Sequence, residues 1–281
     1  MHLTARSVLC ALALGLCGCA PDAQEAPPAA AVQREAPAPA VPAQEGEAGG
    51  GGFRVVYTGL RDEGFAEWEA YVRENRILEG SAEVLNDWIE LPHDVELTFA
   101  GCGEANAFYE PDRKRIVLCY EILEHFGEVF ADAPTEEFRA RAILGATDFV
   151  LYHELGHALI DVLDLPVLGR EEDAADQLAA YVLTNDTDEG EQAALNGVVA
   201  LGAGEEVDET AFADTHSLGP QRFYNVACWV YGQNPEKHAG FVSDDFLPAA
   251  RAEGCPEEYA RVESSWSRLL EPYLRRHPAS P

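Results

Sequence analysis

Residues 150–163, VLYHELGHALIDVL, form an apolar run without proline, and three ionisable side chains that can reach a metal sit inside it. His153, Glu154 and His157 fit H-E-x-x-H, which on a helix places both imidazoles on one face. Burying such groups is costly unless they are neutralised or coordinated. A metal ion satisfies both histidines and leaves Glu154 beside it. The plainer reading is a pair of ordinary core histidines. Two ligands leave zinc under-coordinated, so a third protein ligand and one open position for water are needed for a catalytic centre. Bound metal lowers the pKa of its water toward neutrality, and Glu154 is then the candidate general base.

The third ligand has to come from elsewhere in the chain. Glycine at 160 and histidine at 163 would extend the motif in the metzincin manner, but those positions are Ile160 and Leu163. Downstream, GREEDAADQLAAY offers Glu171, Glu172, Asp173 and Asp176. Glu172 and Asp176 stand four apart and are followed by Ala179 and Ala180, which gives a face able to pack closely on another helix. The segment also reads simply as an acidic first turn that complements a helix dipole. Taken with H-E-x-x-H, the pattern resembles the gluzincin metallopeptidases. The resemblance implies that Glu172 binds the metal and that Asp176 orients one of the ligand histidines, with Glu171 as the alternative ligand. The short gap after His157 requires a tight loop.

Asn106-Ala107-Phe108-Tyr109 resembles the edge strand with which thermolysin-like enzymes hold an extended peptide. By that resemblance Asn106 and Ala107 bind substrate through backbone groups and the asparagine side chain. Gluzincins also present a His or Tyr to the developing oxyanion. His216, with Asp214 two residues before it, is the first candidate here, and Tyr224 the second.

Periodicity suggests an α+β fold. FAEWEAYVRENRILEGSAEVLNDWIELP has apolar residues at helical spacing, VELTFAG alternates like a strand, and ANAFYEPDRKRIVLCYE reads as two strands joined by a Pro-Asp turn. The remainder is mostly helical, with one long helix starting near Thr135 and carrying the motif. A small antiparallel or mixed sheet followed by a mainly helical part is expected, zincin-like by the resemblance above.

The N-terminal segment points to export. Residues 1–18 have a basic start and a short apolar run, as a signal peptide does. Leu16-Cys17-Gly18-Cys19 resembles a bacterial lipobox, making Cys19 the expected lipidated residue; an ordinary secreted protein cleaved nearby is the alternative. Residues 19–52 form a Pro/Ala/Gly-rich tether, and the folded domain is expected over 53–281. No aspartate follows Cys19, which favours the outer membrane, facing the periplasm. Of the 7 cysteines, Cys102, Cys119, Cys228 and Cys255 lie in the domain. Among three possible pairings, Cys102 with Cys119 and Cys228 with Cys255 each bracket one compact segment. A cysteine metal site lacks any CxxC spacing.

The formal net charge of −31 repels phosphate backbones and excludes nucleic acid as a natural partner. Membrane contact is therefore expected through the lipid alone, and the domain is expected to be monomeric. From about Phe53 onward the chain resembles a family of exported bacterial metallopeptidases of uncharacterised function. That resemblance implies a Zn2+-dependent endopeptidase of the cell envelope acting on peptides or proteins. The competing expectation is a metal-stabilised binding or scaffold lipoprotein that cleaves nothing.

Overall fold

The computed structural model describes residues 50–57, 63–184, 187–202 and 211–275. The expected signal peptide, Cys19 and the tether up to residue 49 lie outside them. In chain order the elements are β1 (Phe53–Val55), α1 (Ala66–Glu74), α2 (Ile77–Trp88), β2 (Val95–Ala100), β3 (Ala107–Glu110), β4 (Arg115–Cys119) and α3 (Tyr120–Val129). There follow α4 (Glu136–Val162), α5 (Glu171–Leu183), α6 (Asp188–Gly202), α7 (Gly219–Gln233), α8 (Ala249–Ala252) and α9 (Cys255–Leu270). The fold is α+β, a small mixed sheet with a mostly helical remainder.

The sheet runs β1-β2-β4-β3, with β1, β2 and β4 parallel and β3 antiparallel to β4. Pro111–Arg113 turn the chain between β3 and β4, where Lys114 takes the left-handed conformation. β3 is consequently one of the two edge strands, and its outer edge has no partner within the sheet. β1 was not legible in the sequence, because three residues are too few to show alternation. Pairing starts earlier still: Gly51, in the expected tether, is buried and donates its N–H to the Leu91 carbonyl at 2.8 Å.

Both expected disulfides form. Cys102–Cys119 links the segment just after β2 to the end of β4, the Ala100 and Cys119 of these strands being register partners. The Glu121 carboxylate holds the same corner by accepting from the backbone N–H of Cys102 and of Gly103. Cys228–Cys255 ties α7 to the first residue of α9.

Helix α4 runs through the centre of the helical part. Thr135 caps it, its Oγ1 accepting from the Phe138 N–H at 3.1 Å. From Ala142 to Val162 every residue except Leu144, Asp148, His157 and Asp161 is buried. A helix apolar on every side is one surrounded on every side. Its neighbours reach it because small residues line the crossings. A Cβ placed on Gly156 would lie 2.7 Å from Ala175 Cα of α5, so α4 and α5 meet nearly backbone to backbone. Gly156→Ala is expected to destabilise the protein by about 1–3 kcal/mol through overpacking, measured by urea denaturation. Gly80→Ala in α2, where a Cβ meets nothing within 4 Å, should be neutral or stabilising by up to ~1 kcal/mol.

Candidate metal centre

The connection between α4 and α5 is as tight as the sequence requires. Asp164 adopts the left-handed conformation, while Leu165 N–H bonds the Ile160 carbonyl and Asp164 N–H bonds that of Asp161, a Schellman turn. Gly169, at φ 129°, completes the reversal. The chain then enters α5 with its acidic first turn facing His153 and His157.

Three side chains converge. Glu172 Oε2 lies 3.2 Å from His153 Nε2 and 3.3 Å from His157 Nε2. The ligand atoms of His153, His157 and Glu172 all lie within 4.8 Å of one another. Tetrahedral zinc with bonds of 2.0–2.1 Å separates its ligand atoms by about 3.3 Å, so this trio fits such an ion. The other ring nitrogens are also engaged. His153 Nδ1 meets Asp176 Oδ1 at 2.8 Å, and His157 Nδ1 meets Glu171 Oε1 at 2.7 Å. Each histidine therefore has a carboxylate behind it to fix its orientation, leaving Nε2 for the metal. Between the two candidates, Glu172 points into the cluster and Glu171 supports it from outside.

Asp176 is itself held. Arg222 of α7 donates from Nε to Oδ2 at 2.8 Å and from Nη2 to Oδ1 at 2.7 Å, a bidentate pair. Sequence reasoning assigned Arg222 no role. Its only signal was proximity in the chain to His216 and Tyr224, which does not say what it touches.

These contacts set the charge states of the metal-free protein. Burial disfavours a charged His153, but the bonds to Asp176 and Glu172 outweigh it and lift the imidazole to about 9. His157 is raised in the same way, burial being outweighed by Glu172 and Glu171. Burial raises the Asp176 carboxyl, yet Arg222 and His153 more than reverse this and hold it well below the ordinary range. Glu172 is likewise held low by three histidines against the cost of its burial. Glu154 goes the other way: it is 6% exposed, and burial pushes its carboxyl up despite the nearby histidines.

The third histidine at Glu172 is His216. Its Nε2 lies 2.9 Å from Glu172 Oε2, and its ring stacks over His153 with centroids 5.9 Å apart. Asp214 Oδ1 accepts from the His216 backbone N–H at 2.8 Å and lies 3.1 Å from its Nδ1. Tyr224 is placed elsewhere, in a separate hollow with Asp173 and Ser217. Glu154, His157, Glu172 and His216 open onto a cleft of about 650 Å³ that is also lined by β3, including Ala107, and by Asn106 just before it. Asn106 Oδ1 accepts from the Ala107 N–H at 2.8 Å. Asp161, on the helix that carries His153 and His157, accepts from Tyr109 Oη and from Lys114 Nζ, both at 2.6 Å. The four domain cysteines are consumed in disulfides, which removes a cysteine metal site.

A sequence profile for the family described as "Putative metallopeptidase" matches residues 57–270. The chain belongs to that family. No curated protein and no solved structure matches the chain. Membership in this family implies a metal, and among the described residues the trio of His153, His157 and Glu172 is the group fitted to hold one.

Metal uptake should depend on pH. The metal-free histidines hold protons that an incoming divalent ion must displace. Affinity is expected to rise with pH by about tenfold per unit for each proton displaced and to level off above about 9, where His153 has lost its proton. The metal-free protein should move oppositely: stability from charged His153 is complete below about 6.5 and disappears as pH rises through 9. Chelator competition and thermal unfolding across pH 6–9 measure the two trends.

Proposed function

We propose that the protein is a zinc-dependent endopeptidase of the bacterial cell envelope. The observation that carries this reading is the convergence of His153, His157 and Glu172 beside Glu154, at a cleft walled by a sheet edge. Membership in the family supports peptide-bond hydrolysis, and the donor set of two imidazoles and one carboxylate suits zinc. Zinc held there supplies a Lewis acid and a water acidified to near neutrality.

The chain's own groups do the rest. An extended peptide adds to the outer edge of β3, which pairs with no strand on that side among the described residues, and takes over the Ala107 N–H from the Asn106 side chain that caps it. Glu154 takes the proton of the attacking water at its carboxylate and passes it to the leaving amine. His216, oriented by Asp214, offers Nε2–H to the developing oxyanion. Asp176 and Glu171 keep the two ligand histidines in register, and Arg222 keeps Asp176 in place. The lipid expected on Cys19 and the tether after it would keep the domain at the outer membrane, on the periplasmic side.

One observation favours a second reading. His216 is close enough to Glu172 to serve as a fourth ligand, which would close the centre and leave a metal-stabilised scaffold. Two substitutions separate the readings. Glu154→Gln should leave about one zinc per chain by elemental mass spectrometry while lowering kcat on a peptide library by at least ~10²–10⁴-fold. His216→Ala should also retain zinc and lose about 10²–10³-fold in kcat. Full activity in the Glu154 variant would end the peptidase mechanism, and loss of zinc in the His216 variant would favour the scaffold.

A further inference from the structure

A second cavity, of about 620 Å³, lies behind the tight connection between α4 and α5, where that connection faces α9. Leu165 and Val167 of the connection and Trp266 and Leu269 of α9 give it apolar walls. Leu168 stands fully exposed at its border. Two arginines, Arg170 and Arg268, also line it.

These arginines are unusual in this protein. At a net charge of −31, carboxylates outnumber cations heavily. Among the described residues every other lysine and arginine lies within ion-pair distance of a carboxylate. Among the described residues the Arg170 side chain makes two long hydrogen bonds, to the His216 carbonyl at 3.4 Å and to Ser217 Oγ at 3.5 Å. Arg268 has no hydrogen bond or ion pair among the described residues. The one carboxylate in the cavity, Asp173, is occupied by Ser217, whose hydroxyl donates to its Oδ1 at 2.6 Å.

We propose that this cavity binds the free C-terminus of a peptide that ends in an apolar residue. The terminal carboxylate is recognised by Arg170 and Arg268, because a guanidinium matches a carboxylate in charge and in the geometry of its donors. The last side chain packs on Trp266 and the neighbouring aliphatic groups. The walls offer a bare inorganic anion little, and a neutral apolar ligand would leave both guanidinium groups without a counter-charge. The cavity volume is in the range of small-ligand sites. Arg170 also borders the catalytic cleft, so the two spaces adjoin. The choice of a peptide as ligand rests on the peptidase reading, since hydrolysis next door generates such termini; the anionic and apolar character of the ligand does not.

Isothermal titration of the full chain with the tripeptide Ala-Ala-Leu, as free acid and as C-terminal amide, tests the proposal. The free acid should bind at one per chain, with the amide weaker by about tenfold or more. Arg268→Gln, an exposed change outside the catalytic cleft, should weaken the free acid by a similar factor and leave the amide unaffected. Equal binding of acid and amide, no binding of either, or an unaltered Arg268 variant would overturn it. So would octanoate binding as tightly as the tripeptide, which would make the cavity a site for acyl carboxylates. Peptide-library turnover is scored separately. Turnover without amide-sensitive binding removes this cavity alone; amide-sensitive binding without turnover removes the peptidase reading and leaves a peptide-terminus site.

Discussion

The bidentate contact between Arg222 and Asp176 is the interaction on which the centre depends. Helix α4 can pack on every side only if the polar groups it carries into the core are compensated, and unpaired buried charge is prohibitive. Asp176 is almost fully buried, and Arg222 supplies the counter-charge that keeps it ionised there. An ionised Asp176 then fixes His153, whose free nitrogen turns toward Glu172. One ion pair between α5 and α7 in this way determines the orientation of a group on α4. Geometry at the centre is thus a property of three helices packed together, and no one of them could supply it.

Parts of this arrangement were legible in the sequence and parts were not. H-E-x-x-H announces itself because both histidines and the glutamate lie within one helical turn and a half, where spacing alone fixes their relative positions. Thr135 as a helix start is visible for the same local reason. Glu172 and Asp176 were readable as a pair, since four residues on a helix share a face, but the supporting role of Glu171 was not. It depends on how α5 is rotated against α4, which Gly156 and Ala175 set by their close approach. The edge position of β3 was expected only through the resemblance of Asn106–Tyr109 to a known edge strand, and the sheet order agrees with it. Arg222 is further removed, because its contact comes from tertiary placement of segments distant in the chain, of which local pattern carries no record. β1 is too short to leave a periodic trace at all.

The cleft is assembled from both halves of the α+β fold. The sheet contributes an edge and the helices contribute the polar cluster facing it. The disulfide between Cys102 and Cys119, together with Glu121, secures the corner from which the chain departs toward β3. The edge strand is thus anchored at its entry by covalent and hydrogen bonds and along its length by β4.

The contacts of Tyr109 and Lys114 with Asp161 bear on how the cleft can change width. Asp161 belongs to the same continuous helix as His153 and His157, so the strand wall and two of the three converging residues form a single stiff body. Breathing of the cleft cannot easily come from that side. A change in its width falls instead to the segment ahead of α7 that carries His216. The strand wall is thus tied to the helix that carries the histidines, whereas His216 keeps its place through its contacts with Glu172 and Asp214.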